Sequence, residues 1–452
     1  MALALAVVIV LLVVGSVVFH FVSPWYFTDI ASNWGLIDFT VNVTFWVAGI
    51  VFVAVNIFTV YCIIKFKHRP GQRAHYEPEK HKLEMTLTVL TALGVAAMLA
   101  PGLIVWGDFV ESPDNAKEVE AVGKQWHWSY RLPGDDGQFG NVDVRQMSVT
   151  NPLGIDPSDP AGADDVVVTD PVLHLAVNEP VHVWLRSTDV LHNFTVPQFR
   201  VKMDLVPGMI TYQWFNPEKE GTYEVLCEEL CGIAHFAMRS KVVVESQDDY
   251  DAWLDAQPTF AETQAAPVGN ATRGQALYGV CSACHGQRGE GNVALNAPKL
   301  AGQDGWYIER QISHFQRGFR GGEGDTYGAQ MAPMARTLAT PQSIADVVAY
   351  IATLDDQPSE HTISGDAADG RRYWQTCGLC HGAAGEGNWD TNAPRLAGMN
   401  DWYLKRQLEN FRAQIRGGHP EDIYGDQMFM LASILKDENA VDNVVTYINS
   451  LD

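Results

Sequence analysis

Three apolar runs near the N-terminus constrain the fold of this chain more than any other feature. They cover residues 1–22, 40–64 and 85–106, and His20 is the one strongly polar residue in the first of them. Each run is long enough to cross the roughly 30 Å hydrocarbon layer of a membrane as a helix. Because backbone groups in lipid must bond to one another, each run is predicted to be a transmembrane helix.

Residues 1–22 could alternatively be a cleaved signal peptide. A basic n-region and a small-residue cleavage site usually mark such a peptide, and neither is evident here. We therefore expect an N-terminal hydrophobic span or uncleaved signal anchor, followed by a two-helix transmembrane region over residues 36–110.

Basic residues in the loop between the second and third runs predict the orientation. Only Glu77 and Glu79 offset six basic residues there, namely Lys65, Lys67, Arg69, Arg73, Lys80 and Lys82. Because cytoplasmic loops carry such an excess of Lys and Arg, everything after about residue 107 is expected outside the cytoplasm. In a bacterial inner (plasma) membrane this is the periplasmic or outer side.

The formal net charge is −23 over 452 residues, and it is unevenly distributed. Residues 1–106 carry +1, residues 107–269 carry −17 and residues 270–452 carry −7. An acidic surface disfavours nucleic acid and anionic lipid as partners. It would attract a basic protein, although solubility alone explains such a surface equally well.

A sulfur-rich loop offers ligands for a soft metal. It contains Cys227, Cys231, His235 and Met238, and His192 lies upstream. Two thiolates, two imidazoles and a thioether suit copper, whereas calcium and magnesium prefer oxygen ligands. The two cysteines could instead form a disulfide in an oxidising compartment, but a disulfide leaves the histidine and methionine unexplained. Two thiolates can also bridge two copper ions.

This loop resembles the binuclear copper centre, CuA, of cytochrome c oxidase subunit II. The ligand positions of that family are filled by His192, Cys227, Glu229 (through its backbone carbonyl), Cys231, His235 and Met238. The resemblance extends to Gln125–Tyr130, where His127 replaces the usual tyrosine, and to Lys202–Gly208. It covers residues 36–245 and implies that Trp126 takes part in electron input near CuA.

Residues 111–250 are predicted to form a cupredoxin-like β-barrel with Greek-key topology. Val181–Leu185, residues 222–226 and residues 241–245 have strand-like patterns. Residues 156–170 contain five aspartates with Gly, Pro and Ala, and are predicted to be an exposed insertion.

The C-terminal part of the chain repeats itself. Cys281-Ser-Ala-Cys284-His285 recurs as Cys377-Gly-Leu-Cys380-His381, and the flanking motifs recur at an offset of 96 and then 97 residues. Cys-x-x-Cys-His attaches c-type haem, with the histidine as the proximal iron ligand. We predict two all-α cytochrome c domains over residues 271–355 and 367–452, with linkers at residues 251–270 and 356–366.

A methionine follows the histidine of each motif at +46 or +47, which makes a chance occurrence of the two motifs unlikely. The first repeat offers Met331 and Met334, and the second offers Met428 and Met430. Met331 and Met428 occupy equivalent positions after the same Gln, and the pair resembles tandem class I diheme cytochromes c. We therefore predict Met331 and Met428 as axial ligands.

Two glutamates take a predicted role from the oxidase resemblance. Glu84 opens the third span; an acidic residue there also suits a helix start, but the family implies proton uptake toward subunit I. Glu229 is expected to contact a magnesium ion at the subunit I interface through its carboxylate.

The sequence is therefore interpreted as subunit II of a haem-copper cytochrome c oxidase, an electron-transfer part of an enzyme whose dioxygen site lies on another chain. Its expected partners are subunits I and III, a cytochrome electron donor and membrane lipid, but not nucleic acid. The alternative is the electron-input subunit of a CuA-containing nitric oxide reductase. A free electron carrier needs no membrane spans, a quinol oxidase subunit lacks the copper ligands, and nitrous oxide reductase needs a histidine-rich copper site.

Chain order suggests a linear route for electrons. A flexible linker of about 15 residues spans near 20 Å, which would hold the first haem domain beside CuA. We therefore expect the order donor, haem of His381, haem of His285, CuA, and a basic donor whose encounter rate falls with ionic strength.

Overall fold

The computed structural model describes residues 2–23, 28–73, 76–168 and 170–451. Three long helices come first, and each is long and apolar enough to cross a membrane. They are α1 (Ala2–Val22), α2 (Gly35–Lys65) and α3 (His81–Val110). Most of their large apolar side chains are exposed in the isolated chain, as expected of surfaces that face lipid or other membrane helices.

The membrane helices hold the next domain through specific contacts at one of their ends. Arg200 donates to both carboxylate oxygens of Asp38 near the start of α2, at 2.7 and 2.9 Å. Trp34 Nε1 donates to the carbonyl of Trp214, and Trp214 Nε1 donates to the carbonyl of Asp108 near the end of α3. The β domain therefore contacts the N-terminal end of α2 and the C-terminal end of α3.

The described residues of that domain form ten strands in two five-stranded sheets, ordered β3-β2-β1-β5-β8 and β4-β10-β9-β6-β7. Alternating side chains from both sheets fill one core, and the predicted cupredoxin-like barrel is confirmed. The strands are β1 (Lys117–Lys124), β2 (His127–Leu132), β3 (Val166–Val168), β4 (Val172–Ala176), β5 (Val181–Ser187), β6 (His192–Val196), β7 (Val201–Leu205), β8 (Ile210–Phe215), β9 (Gly221–Cys227) and β10 (Arg239–Glu245).

Two segments are more ordered than their composition predicts. In the aspartate-rich insertion, Asp165 is fully buried and lies 3.1 Å from the Arg131 guanidinium. The prediction that the whole insertion is exposed is therefore wrong. In the predicted linker, Phe260 is buried against Ile155 and starts a short helix, α5 (Phe260–Gln264), after α4 (Gln247–Asp255). One aromatic ring with a complementary pocket is enough to fix a segment that is otherwise polar.

The rest of the chain forms two helical units with the same order of elements. The two units need a glycine at the same position. A Cβ on Gly274 would lie 1.9 Å from the Asp346 carbonyl oxygen, and a Cβ on Gly370 would lie 2.0 Å from the Asn443 carbonyl oxygen. The first helix of each unit therefore crosses the last at close range. The helices are α6 (Ala271–His285), α7 (Gly305–Arg317), α8 (Thr326–Ala335), α9 (Pro341–Ile351), α10 (Ala367–His381), α11 (Asp401–Arg412), α12 (Ile423–Ala432) and α13 (Glu438–Asn449).

The second helical unit packs closely against the barrel. Lys124 of β1 forms an ion pair with Asp390, and Lys241 of β10 donates to the carbonyl of Pro420 at 2.5 Å. The first unit reaches the barrel through a peripheral ion pair between Arg317 and Asp170. The expectation that chain order places the first unit beside the copper loop is therefore wrong, because surface complementarity rather than distance along the chain decides which unit docks.

Candidate copper and haem centres

The copper loop brings together donor atoms from three places in the barrel. His192 begins β6, Cys227 ends β9, and Cys231 follows in the loop to β10. The two sulfurs lie 3.7 Å apart, and Cys227 Sγ lies 3.9 Å from His192 Nδ1. One ligand atom from each of these three buried residues lies within 4.8 Å of the others.

The remaining predicted positions border the same two sulfurs. Cys231 Sγ lies 3.5 Å from His235 Nδ1 and 3.8 Å from Met238 Sδ, and Cys227 Sγ lies 3.3 Å from the Glu229 carbonyl. All six positions predicted from the sequence are thus neighbours. Sulfur and imidazole donors in a buried cluster fit copper, and both thiols would bind it as thiolates.

Asp189 orients His192 from outside the cluster. Its Oδ1 accepts a 2.8 Å hydrogen bond from His192 Nε2, which leaves Nδ1 directed at Cys227. Although burial opposes protonation, the bonds with Asp189 and Cys227 raise the pKa of His192. A carboxylate on the second ring nitrogen is the usual support of a metal-ligating histidine, and the ligand spacing alone did not predict this role for Asp189.

The two thiols influence each other. The contact between the two sulfurs lowers the pKa of Cys227 despite burial, and the same contact, together with burial, raises the pKa of Cys231. The two thiols cannot both lose their protons unless a cation neutralises the resulting thiolates. Such a pair is therefore suited to binding one or more metal cations.

Trp126 packs on the copper loop and is itself largely buried. Its Nε1 and Gln125 Nε2 both donate to the Cys231 carbonyl, at 3.2 and 2.6 Å. The whole Trp126 residue is 8% exposed. Gly232 makes this possible, since its φ is +125° and a Cβ there would lie 3.0 Å from the indole.

Each helical unit encloses an apolar cavity suited to haem. The first cavity is lined by Cys281, Cys284 and His285, and the second by the equivalent residues Cys377, Cys380 and His381. His285 Nδ1 donates to the Pro298 carbonyl at 2.7 Å, and His381 Nδ1 donates to that of Pro394 at the same distance. Burial lowers the pKa of both histidines, so each keeps a neutral Nε2 free to bind iron.

The methionine candidates differ in position. Met331 and Met334 both line the first cavity, whereas Met428 lines the second and Met430 does not. Met430 packs against the barrel core instead. The repeat equivalence of Met331 and Met428 therefore favours these two over their neighbours.

Two buried arginines lie between the cavities in a pseudo-symmetric network. Arg320 donates to Gln311 Oε1, Tyr403 Oη and Gln407 Oε1, and Arg416 donates to Gln407 Oε1, Tyr307 Oη and Gln311 Oε1. All six contacts lie between 2.7 and 3.3 Å.

Within the part of the chain that the structure describes, no carboxylate forms an ion pair with either guanidinium, and Arg320 Nε has no hydrogen-bond partner. Buried cations need anionic partners, and the two propionates of a haem are such partners. The cavities therefore fit haem in charge as well as in shape.

A hydrogen-bonded route connects the second cavity with the copper loop. Gln427, next to Met428 on α12, donates from Nε2 to the Trp126 carbonyl at 2.6 Å. His127 packs edge-on against Tyr424 with ring centroids 6.3 Å apart. Burial lowers the pKa of His127 to about 4, so this interface residue is neutral at physiological pH. None of these contacts could be predicted from the motifs.

Glu84 lies outside these clusters. It occupies the first turn of α3, is largely exposed, and its Oε1 accepts a 3.3 Å hydrogen bond from the Lys80 amide. The carboxylate therefore completes the helix start, which is compatible with the dipole role considered from the sequence.

Comparisons with known proteins identify the families of the barrel and of the two helical units. Residues 117–247 match the family described as cytochrome C oxidase subunit II, periplasmic domain. Residues 271–355 and 367–452 each match the cytochrome c family. The three apolar helices and a family domain described as periplasmic fit a membrane protein whose folded domains lie outside.

Similar proteins include the alternative cytochrome c oxidase subunit 2 of Bradyrhizobium diazoefficiens. It is 56% identical over 259 residues, which are 57% of this chain and 94% of the relative. The cytochrome c oxidase subunit 2 of Cereibacter sphaeroides is 29% identical over 229 residues, 46% of this chain and 74% of the relative. Among solved structures, reduced recombinant cytochrome c4 from Pseudomonas stutzeri is 27% identical with a TM-score of 0.33, covering 41% of this chain and 100% of that chain. The chain belongs to the cytochrome c oxidase subunit II family and carries two cytochrome c domains at its C-terminal end.

Proposed function

We propose that this oxidase subunit accepts electrons on two c-type haems and passes them through binuclear CuA to subunit I, where dioxygen is reduced to water with proton translocation. The observation that carries the proposal is the meeting of Cys227, Cys231 and their four neighbouring donors in one buried cluster. Bound copper and haem supply the one-electron carriers; the chain supplies ligands, orientation and insulation from water.

The proposed copper ligands are His192, Cys227, the Glu229 carbonyl, Cys231, His235 and Met238. Asp189 holds the ring of His192 in its ligating orientation. Trp126 contacts the loop through its hydrogen bond to the Cys231 carbonyl, whereas Leu230, Ile233 and Phe236 of the loop are exposed. Burial of the two thiols and of Met238 supports a site that binds metal without exposing it to solvent oxidants.

The proposed haem ligands are the four cysteines of the repeat, His285 and His381, with Met331 and Met428 on the distal side. Hydrogen bonds to Pro298 and Pro394 fix both histidine rings. Neutral histidine and methionine are the usual axial pair of an electron-transferring haem.

The proposed partners are subunits I and III, a cytochrome donor and membrane lipid, in a bacterial inner membrane with the folded domains on the periplasmic or outer side. The contacts of Asp38 with Arg200 and of Trp214 with Asp108 support this arrangement, because they tie the barrel to helix ends opposite the basic loop. We further propose magnesium binding by the Glu229 carboxylate at the subunit I interface, and proton uptake through Glu84. The domain limits predicted from the sequence are retained as part of this proposal.

Electron paramagnetic resonance of the purified chain tests the copper centre. The spectrum should show one electron shared by two coppers, and Cys227→Ser should abolish that signal. Cys62→Ser, a change in a membrane helix, is the matched control and should leave it intact. A single-copper spectrum from the unmodified, copper-loaded chain would contradict the dicopper assignment.

An assay of the complex with subunit I distinguishes reduction of dioxygen from reduction of nitric oxide. Oxygen consumption driven by a reduced cytochrome c is the expected activity. Consumption of nitric oxide with no oxygen uptake would favour the nitric oxide reductase alternative instead.

A further inference from the structure

The two helical units of this chain offer equivalent surfaces, and the described residues of the barrel cover the one on the second unit only. In the second unit, the barrel contacts a set of residues beside the mouth of the haem cavity. Lys124 pairs with Asp390 and lies over the Trp389 ring, His127 meets Tyr424, and Gln427 bonds to Trp126. Cys380, Met430 and Leu431 pack against the barrel core.

The repeat assigns each of these residues a counterpart in the first unit. The counterparts form what we call the collar: Val293, Ala294, Tyr327, Gln330, Pro333 and Met334, arranged around Cys284. Every one of them is exposed, and Val293 is 60%, Tyr327 41% and Met334 41% accessible. The face that the second unit buries is therefore open in the first.

The collar differs from its counterpart in charge. The second unit uses Asp390 to pair with Lys124, whereas the first has Ala294 at that position. No collar residue is itself charged, and the Arg406 guanidinium lies over the Tyr327 ring, 4.5 Å from its centroid. The whole first unit, residues 271–355, has seven acidic and seven basic residues. The acidity of the chain therefore lies elsewhere, chiefly in residues 107–269.

We propose that the collar is the docking surface for a separate electron-donor protein whose own contact face is apolar and uncharged. The proposal rests on the function proposed above. The copper barrel is already in contact with the second unit, so a donor that approaches the chain finds the first unit free. An apolar, uncharged surface gains binding free energy from burial rather than from charge pairing. This choice of partner departs from the basic donor expected from the total charge of the chain.

Paired probes test the proposal on the intact complex. The probes are two small soluble c-type cytochromes of similar potential, one with an uncharged contact face and one with a strongly basic face. Binding is measured by surface plasmon resonance, and reduction of the complex by stopped flow, at several ionic strengths. The uncharged probe should bind more tightly, and its rate constant should change by less than about twofold between low and high salt. A basic probe that is preferred, with a rate that falls steeply with salt, overturns the proposal.

Charged substitutions in the collar provide the second arm. Val293→Glu and Ala294→Glu alter exposed residues that do not line the cavity, and each should weaken binding of the uncharged probe about tenfold. Val268→Glu, at an exposed apolar position outside the collar, should have no effect. If both collar variants bind the uncharged probe as tightly as the wild type does, the proposal is overturned. It is also overturned if a collar variant releases another subunit from the complex or separates two copies of the chain.

A haem spectrum distinguishes this failure from failure of the proposed function. Reduction by dithionite should give the spectrum of two c-type haems in the wild type and in each variant. If the wild type lacks that spectrum, the proposed function fails. If the spectrum is normal but binding is unchanged by the collar variants, only the docking surface is wrong.

Discussion

The side-chain amide of Gln427 donates a 2.6 Å hydrogen bond to the main-chain carbonyl of Trp126. These residues are 301 positions apart, and each is next to a predicted functional group. Gln427 precedes Met428 on α12, and the indole of Trp126 donates to the carbonyl of the copper-loop residue Cys231. One contact therefore joins the distal side of the second haem cavity to the copper loop.

Gln427→Glu should loosen this contact without changing the predicted axial ligand. The carboxylate would face a carbonyl oxygen, so a donor is lost and two acceptors oppose each other. The cost of such an unsatisfied, partly buried pair is about 2 kcal/mol. The yield of a carbodiimide cross-link between Lys124 and Asp390 should fall, and copper should be reduced more slowly after rapid reduction of the haems. Gln330→Glu, the exposed equivalent in the first unit, is the control, and equal effects of the two changes would contradict the prediction.

Met331→Leu and Met428→Leu should each remove one methionine-to-iron charge-transfer band and lower the potential of one haem. A thioether stabilises the reduced iron, and leucine cannot replace it. Met334→Leu and Met430→Leu are the controls, because Met334 is partly exposed and Met430 packs against the barrel. Loss of a band in either control would show that the assignment belongs to the other methionine.

Sequence alone predicted the parts of this protein whose chemistry is local. The Cys-x-x-Cys-His motifs each occupy the last turn of one helix, and most of the copper donors lie within twelve residues of one another. Alternation predicted β5, β9 and β10 because each has one face in the core. In these cases spacing along the chain determines spacing in the fold.

Contacts between distant surfaces could not be predicted in the same way. The pair of Lys124 and Asp390 joins residues 266 positions apart, and no pattern in either segment specifies the other. Arg320 and Arg416 occupy equivalent repeat positions, so their recurrence was visible, but their meeting with Gln311 and Gln407 between two cavities needs the docked arrangement. The reversed placement of the two haem units follows from such contacts.

Glu84→Gln should slow oxidase turnover while leaving reduction of copper and the haems intact, if Glu84 admits protons. The amide keeps the size and the hydrogen-bonding oxygen that the Lys80 amide contacts, so the helix start should survive. Oxygen uptake and optical reduction kinetics of the complex provide the two readouts. Glu79→Gln, in the preceding loop, is a nearby control. Turnover that is unchanged at every pH would leave Glu84 with the helix-start role alone.

His127 should make the contact between the barrel and α12 sensitive to acid. Burial lowers its pKa from 6.5 to about 4, and Lys124 lowers it further while Asp390 opposes the shift. A histidine whose pKa is lower in the closed state contributes most stability above its ordinary pKa, and this contribution falls as pH falls from about 6.5 toward 4. The full difference corresponds to about 3 kcal/mol.

Between pH 7 and pH 5, the equilibrium constant for opening the His127 environment should therefore rise about twentyfold. Hydrogen exchange of α12 and β2 amides, corrected for the intrinsic pH dependence of exchange, measures this opening. His127→Phe preserves a buried ring and removes the titration, so its corrected exchange should stay nearly constant over the same range. If the wild type and His127→Phe have the same pH dependence, protonation of His127 does not control the contact, and another group must be responsible.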